Sequence, residues 1–180
     1  LIPKMKILSR PFLFSENGQN RHTHHITERR ATSLSTYKKR THTCGELRKE
    51  DIGKTVTLTG WIDVRRDLGG VVFIDLRDRY GKTQVVFAPQ HNQQAYDVAQ
   101  ALRSEYVISV TGTVERRPAD TENPNLPTGE IDVVGKELAI LNKAETPPFP
   151  IEDEIDVSED LRLKYRYLDL RRSAVQKNLL

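Results

Sequence analysis

The sequence has 180 residues, 37% hydrophobic and 29% charged, enough for one ordinary domain and too little for two large ones. Its longest apolar runs, such as Val71–Ile74 and Leu138–Leu141, fall far short of the roughly 20 residues that cross a bilayer as a helix, and its single cysteine, Cys44, excludes a disulfide-stapled fold. The net charge of +3 is uneven: residues 1–40 hold nine Lys and Arg against two acids, and residues 41–180 hold 19 against 23, so any basic patch on the folded part has to come from local clustering.

Residues 1–40 carry His22, His24 and His25 among scattered Arg and Lys with no helix or strand period, and read as a basic, disordered arm. The chain opens at Leu1 rather than Met, as a processed chain or a fragment does. The arm also shares its Arg-rich, acid-poor composition with organellar transit peptides. The expected location is the cytoplasm, or the mitochondrion if the arm is such a signal. The histidines, even with His42 and Cys44, follow no tetrahedral ligand spacing, and no metal site is predicted.

From residue 53 the pattern changes to short alternating segments. Thr55–Val64 sets Val56, Leu58, Gly60, Ile62 and Val64 on one face and Thr55, Thr57, Thr59, Trp61 and Asp63 on the other, a half-buried strand. Asp67, Gly69 and Gly70 supply a turn, Val71–Arg77 is a second strand and Thr83–Phe87 a third. Asn92–Arg103 reads as a helix, with Ala95, Val98, Ala99 and Leu102 at spacings of three and four. Tyr106–Glu115 resumes the alternation, Arg117–Gly129 with its three prolines is a long loop, and Glu130–Leu141 is a fifth strand with a bulge expected at Gly135. Three strands, a helix and two strands is the order of the oligonucleotide/oligosaccharide-binding (OB) barrel, a mainly β fold whose second and third strands commonly bind single-stranded nucleic acid.

In the second strand Val72, Ile74 and Leu76 point inward, and Val71, Phe73, Asp75 and Arg77 outward. An outward Phe73 is a platform for base stacking; packing against another part of the chain is the competing role. Gln84 in the third strand can both donate to and accept from a base edge. Arg65 and Arg66, at the entry to the first loop, present forked donors to phosphates or bases. Asp132 should point outward and accept from a base amino group, whereas Asp75 and Asp78 are expected to pair with nearby cations. These features point to single-stranded nucleic acid read by base edges. No catalytic constellation and no phosphate-binding loop stands out.

Thr146-Pro-Pro-Phe-Pro150 and the acids after it form a stiff linker. Ser158 is a candidate N-cap for a hinge helix, with Leu161, Tyr165 and Leu168 as a stripe in need of a partner surface and Arg171 and Arg172 near its far end. The expected organisation is an arm at 1–40, an OB domain at 41–144, a linker at 145–157, and at 158–180 a hinge and the start of a truncated larger domain.

Three runs carry a family resemblance: Thr41-His-Thr-Cys-Gly-Glu-Leu-Arg48, Gly60-Trp-Ile-Asp-Val-Arg-Arg-Asp-Leu-Gly-Gly-Val-Val-Phe-Ile-Asp-Leu-Arg-Asp-Arg79 and Leu163-Lys-Tyr-Arg-Tyr-Leu-Asp-Leu-Arg-Arg172. Over residues 41–180 the chain resembles the bacterial-type aspartyl-tRNA synthetases, class II enzymes. The resemblance implies that Phe73 stacks on the middle anticodon base and that Arg66 and Gln84 contact anticodon bases. It also puts Asp132 by the first anticodon base and Arg103 near the RNA; Arg65 and Arg77 complete the expected tRNA-binding set. Many family members have three arginines where this chain has Val64, Arg65 and Arg66. The implied partner is the anticodon loop of tRNA(Asp), with a homodimer expected at full length. Aspartate, ATP and magnesium would be bound by the domain beyond Leu180, and no cofactor is expected in this part. The alternative is a free-standing nucleic-acid-binding module without catalysis.

Overall fold

The computed structural model describes residues 38–179; the readings of His22, His24 and His25 and of the rest of the arm up to residue 37 lie outside them. Alternating β-branched and polar residues build β1 (Thr55–Leu68), β2 (Val71–Arg77) and β3 (Lys82–Phe87), then β4 (Val107–Arg116) and β5 (Ile131–Asn142), with α1 (Gln93–Gln100) between β3 and β4. The strands close into a barrel in the order β1-β2-β3-β5-β4, all pairs antiparallel except β3 with β5. This is the OB topology. Its core takes the inward residues of every strand, among them Leu58, Ile62, Ile74, Leu76, Phe87 and Ile108, joined by Cys44 and Leu47 from the segment before β1 and by Ala95 and Ala99 of α1.

The ladders slip at three places, and two of the slips shape what the barrel presents. In β1 the ladder passes from Ile62 opposite Leu76 to Val64 opposite Asp75, leaving Asp63 as an extra residue. A one-residue slip turns every later side chain to the other face, so Val64, expected inside, is exposed. The strand also continues past its expected end, carrying Arg65 and Arg66 into the sheet as far as Leu68. In β5 the ladder skips Lys136, between Glu137 opposite Thr111 and Gly135 opposite Gly112. The Lys136 carbonyl, released from the sheet, accepts from Asn92 Nδ2 at 2.8 Å while Asn92 Oδ1 caps α1 by accepting from Ala95 N at 3.0 Å. The bulge therefore anchors the helix. The helix stops at Gln100 rather than Arg103, because the chain must turn back into β4; Glu105 makes that turn with a φ of 65° and donates its N–H to the Ile62 carbonyl at 2.7 Å.

The segment after the barrel is not a passive strut. Phe149 and Ile151 are buried against Leu168, with Ile155, Val157, Leu161 and Tyr165 around them. The apolar stripe thus finds a partner in the proline linker itself. The expected single helix breaks at Tyr165 into α2 (Glu159–Lys164) and α3 (Arg166–Asp169), with α4 (Ser173–Gln176) following. Ser158 caps α2 by accepting from Leu161 N at 3.4 Å. Asp169, fully buried, accepts from Arg166 and Arg172, and Arg172 donates to the carbonyls of Glu152 and Asp153. These bonds hold the Asp169 carboxyl below the ordinary aspartate range, with Arg172 the main cause. No helix among the described residues is long and apolar enough to cross a membrane.

A Cβ at Gly135 would run into the ring of Phe87. Gly135→Ala should therefore lower unfolding free energy by about 1–3 kcal/mol. In a denaturant titration, Gly135→Ala combined with Phe87→Leu should cost less than the sum of the two single changes, because the smaller side chain gives the methyl room.

Candidate nucleic-acid interface

The slip at Asp63 decides which arginine reaches the outer face. Beyond it Arg66 stands opposite Phe73, and Phe73 in turn opposite Val86 of β3. Phe73 is half-buried, in a strand paired on both sides. One step along β2, Asp75 stands opposite Gln84 and accepts from Arg66 Nη2 at 2.8 Å. From β5, Asp132 joins them across the parallel β3–β5 pair, in which its neighbour Val133 stands opposite Val85.

The long loop after β4 contributes a residue not singled out by the sequence. Arg117 is buried, and its Nε donates to Asp132 Oδ1 at 2.8 Å and to the Ile131 carbonyl at 3.2 Å. Its Nη1 donates to the Thr121 carbonyl at 3.4 Å, but its Nη2 is buried without a partner among the described residues. A buried guanidinium N–H left unpaired costs free energy, and the two bonds from Nε hold Asp132 and the start of β5 in place. Its signal in the sequence was weak, because an arginine at the start of a proline-rich loop looks like solvated surface.

Burial pushes the Asp75 and Asp132 carboxyls above the ordinary aspartate range, against the pull of Arg66 on the first and of Arg117 on the second. The face therefore alternates partly desolvated acceptors, two guanidinium groups and an amide around one aromatic ring. Such a surface suits hydrogen bonding to base edges with stacking, more than the neutralisation of a phosphate chain.

The remaining expected residues go elsewhere. Arg65 lies on the opposite side of β1 from Arg66; its Nε donates to the Ala99 carbonyl at 3.2 Å near the end of α1, and Nη2 pairs with Asp67 at 3.5 Å. The convergence of both arginines on one face is thus corrected: β1 runs on through both of them to Leu68, and successive strand residues point to opposite sides. Arg77, nearly buried, is a brace: Nη2 donates to Glu105 at 2.6 Å, Nη1 to the Ile151 carbonyl at 3.1 Å, and Nε lies 3.4 Å from Asp63. Its donors are thus engaged within the fold. Arg103 is exposed and lines a hollow with Tyr106 and residues 144–147. Asp75 pairs with Arg66 as expected, but Asp78 spends its carboxylate on backbone N–H groups of Cys44, Tyr80 and Gly81, with Arg40 only at 3.8 Å. Among the described residues no group of three or more His, Cys, Asp or Glu is placed to hold a metal ion.

Comparison with known proteins agrees with this geometry. Residues 56–141 match the model of a family described as OB-fold nucleic acid binding domain. The chain is 60% identical over 141 residues to the aspartate–tRNA(Asp/Asn) ligase of Halothermothrix orenii, covering 78% of this chain and 24% of that protein. It is 58% identical over 151 residues to the ligase of the same name from Salinibacter ruber, covering 82% of this chain and 24% of the relative. Among solved structures, asparaginyl-tRNA synthetase from Pyrococcus horikoshii superposes with a TM-score of 0.61 at 27% identity, over 72% of this chain and 29% of that one. The chain spans about a quarter of the length of the curated relatives it matches.

The raised carboxyls give the face a pH signature. As pH falls from neutrality toward the ordinary aspartate value of about 3.9, Asp75 and Asp132 take up protons before exposed carboxylates do. Affinity for single-stranded RNA of any sequence should then rise, as acidic repulsion is lost, while discrimination between sequences narrows. Titrations of labelled RNA at stepped pH should show both trends, and Asp132→Asn should remove much of the change in discrimination.

Proposed function

We propose, from the match of residues 56–141 to the OB-fold nucleic acid binding domain model and the similarity to aspartate–tRNA(Asp/Asn) ligases, that this chain reads the anticodon loop of tRNA(Asp) on behalf of such a ligase. The observation that carries the reading is the outer face of β2, β3 and β5, where Phe73, Arg66, Gln84 and Asp132, the last held by Arg117, surround one patch. Phe73 stacks on an unpaired base, which rewards any base with a flat π-face. Gln84, with donor and acceptor on one amide, and Arg66 and Asp132, with donor and acceptor of opposite charge, then select among bases by their edges.

Joining aspartate to tRNA(Asp) with ATP and magnesium is the proposed activity of the complete ligase. No step of that reaction is assigned to the described residues. Residues 41–144 are taken as the anticodon-binding unit, 145–157 as the linker and 158–180 as the hinge, with a homodimer at full length and the cytoplasm as location. The relatives' name, aspartate–tRNA(Asp/Asn) ligase, favours a second reading, in which the face also accepts the asparagine anticodon, GUU, that differs from GUC only in its last letter.

Fluorescence titration of the chain against hairpins carrying GUC, GUU and anticodons changed at the first or middle letter tests both. Phe73→Ala should weaken GUC binding by about 1–3 kcal/mol through lost stacking, and Phe73→Tyr far less. Arg66→Ala and Gln84→Ala should narrow the gap between GUC and the hairpins changed at the first or middle letter. Wild-type affinity in Phe73→Ala would overturn the site, and rejection of GUU as strong as that of a changed middle letter would overturn the second reading.

A further inference from the structure

The turn between β2 and β3 carries a second cationic surface that the anticodon face does not use. Arg40 and Arg79 bring their guanidinium carbons to 5.8 and 5.5 Å from the Tyr80 ring, which is 57% exposed. With Thr59, Trp61 and Asp78 they line a hollow of about 400 Å³. Arg79 has no hydrogen bond or ion pair among the described residues, and Arg40 has only the 3.8 Å approach to Asp78. Asp78 is a poor competitor for them, since its oxygens already accept from Cys44 N at 2.9 Å, Tyr80 N at 2.7 Å and Gly81 N at 3.1 Å. The Thr59 hydroxyl in the wall of the hollow is buried and has no partner.

The arrangement is held rigidly. Gly45 and Gly81 pack backbone against backbone so closely that a Cβ on either would collide with the other segment. Thr83 Oγ1 donates to the Cys44 carbonyl at 2.6 Å across the same junction. The segment bearing Arg40 is thereby fixed against the turn bearing Arg79 and Tyr80. Lys177 lines the other flank of that turn with Ser173 and Gln176. Two guanidinium groups that donate no hydrogen bond among the described residues, an exposed phenol ring and a further cation beside the same turn match the phosphate backbone of a nucleic acid, which needs forked donors and charge but no base-edge acceptors.

We propose that Arg40 and Arg79, set about the Tyr80 ring, grip the phosphates of the RNA stem that leaves the Phe73 face, as a sequence-independent second contact. The proposal rests on the anticodon-loop reading of that face. At about 3.3 Å per residue, Arg79 lies no more than roughly 20 Å from Phe73 along the chain, a span that a short RNA stem covers with successive phosphates on each strand.

The test uses this chain with three RNAs: a hairpin with a long stem, one with the same loop on a minimal stem, and the loop sequence as an unpaired oligonucleotide. Arg40→Ala/Arg79→Ala should weaken the long-stem hairpin about tenfold at low salt, whatever its loop sequence, and flatten the slope of log affinity against log salt by about 2. It should leave the minimal-stem hairpin and the oligonucleotide within about twofold of wild type. Arg40→Lys/Arg79→Lys, which keeps the charge, should recover most of the salt slope. Equal binding of the long stem by the double alanine variant and wild type would overturn the proposal, as would an equal loss on all three RNAs at an unchanged thermal midpoint. Phe73→Ala in the same titration separates the two readings: if it leaves oligonucleotide binding intact, the face reading fails, whereas the stem contact is judged by the arginine variants alone.

Discussion

The extra residue at Asp63 in β1 sets most of what this barrel presents to a ligand. Were the ladder regular, Arg65 would stand opposite Phe73 and Arg66 would point toward the interior. With the bulge, Arg66 reaches the ring and Asp75, and Arg65 turns to the carbonyl of Ala99 in α1. Asp63 is itself held, with Lys82 Nζ at 2.6 Å and Arg77 Nε at 3.4 Å. Arg77 continues the network to Glu105, whose other oxygen accepts from Arg171 at 2.6 Å while the Arg171 guanidinium lies 4.3 Å from the centre of the Trp61 ring. The residue that aims the arginine is thus tied, through two further ion pairs, to the segment after the linker.

That network gives the junction between barrel and hinge a definite geometry. Glu105 is buried and serves one arginine with each carboxylate oxygen, an arrangement in which the loss of either partner exposes the cost of an unpaired buried charge. Apolar packing of Phe149 and Ile151 on Leu168 runs alongside it. A linker rich in proline loses little entropy on ordering, and here that saving goes with burial of its two large side chains. The connection therefore transmits position as well as length.

On the outer face the same balance of burial and pairing has a different use. Burial raises the Asp75 and Asp132 carboxyls while Arg66 and Arg117 pull them back. An incoming base edge that offers a donor to either partly desolvated carboxylate is rewarded more than on an open surface. Stacking on Phe73 supplies affinity without preference; the desolvated polar groups around it supply the preference.

The barrel was legible in the sequence because its evidence is local. Period-two alternation, the turn at Gly69 and Gly70, the spacing of Ala95 and Ala99 and the glycine in β5 each report the backbone within a few residues, and they fixed five strands, one helix and the outward placement of Phe73 and Gln84. Period two, however, holds only while the ladder is unbroken. The slip at Asp63 shows only once β1 is paired with β2, so the alternation read through it put Val64 inside, and taking Arg65 and Arg66 as the entry to a loop missed that the strand continues and turns them to opposite sides. Arg117 could not be distinguished from a solvated loop arginine until β5 brought Asp132 and the Ile131 carbonyl against it. Likewise the stripe of Leu161, Tyr165 and Leu168 showed that a partner was needed but not that Phe149 and Ile151 would fold back to provide it. Sequence determined which residues are apolar, outward or capping and that Asp75 would find a nearby cation; tertiary structure decided the pairs that brace the fold, because Arg77 and Arg171 with Glu105 and Arg117 with Asp132 are 28, 66 and 15 positions apart and leave no period in the chain.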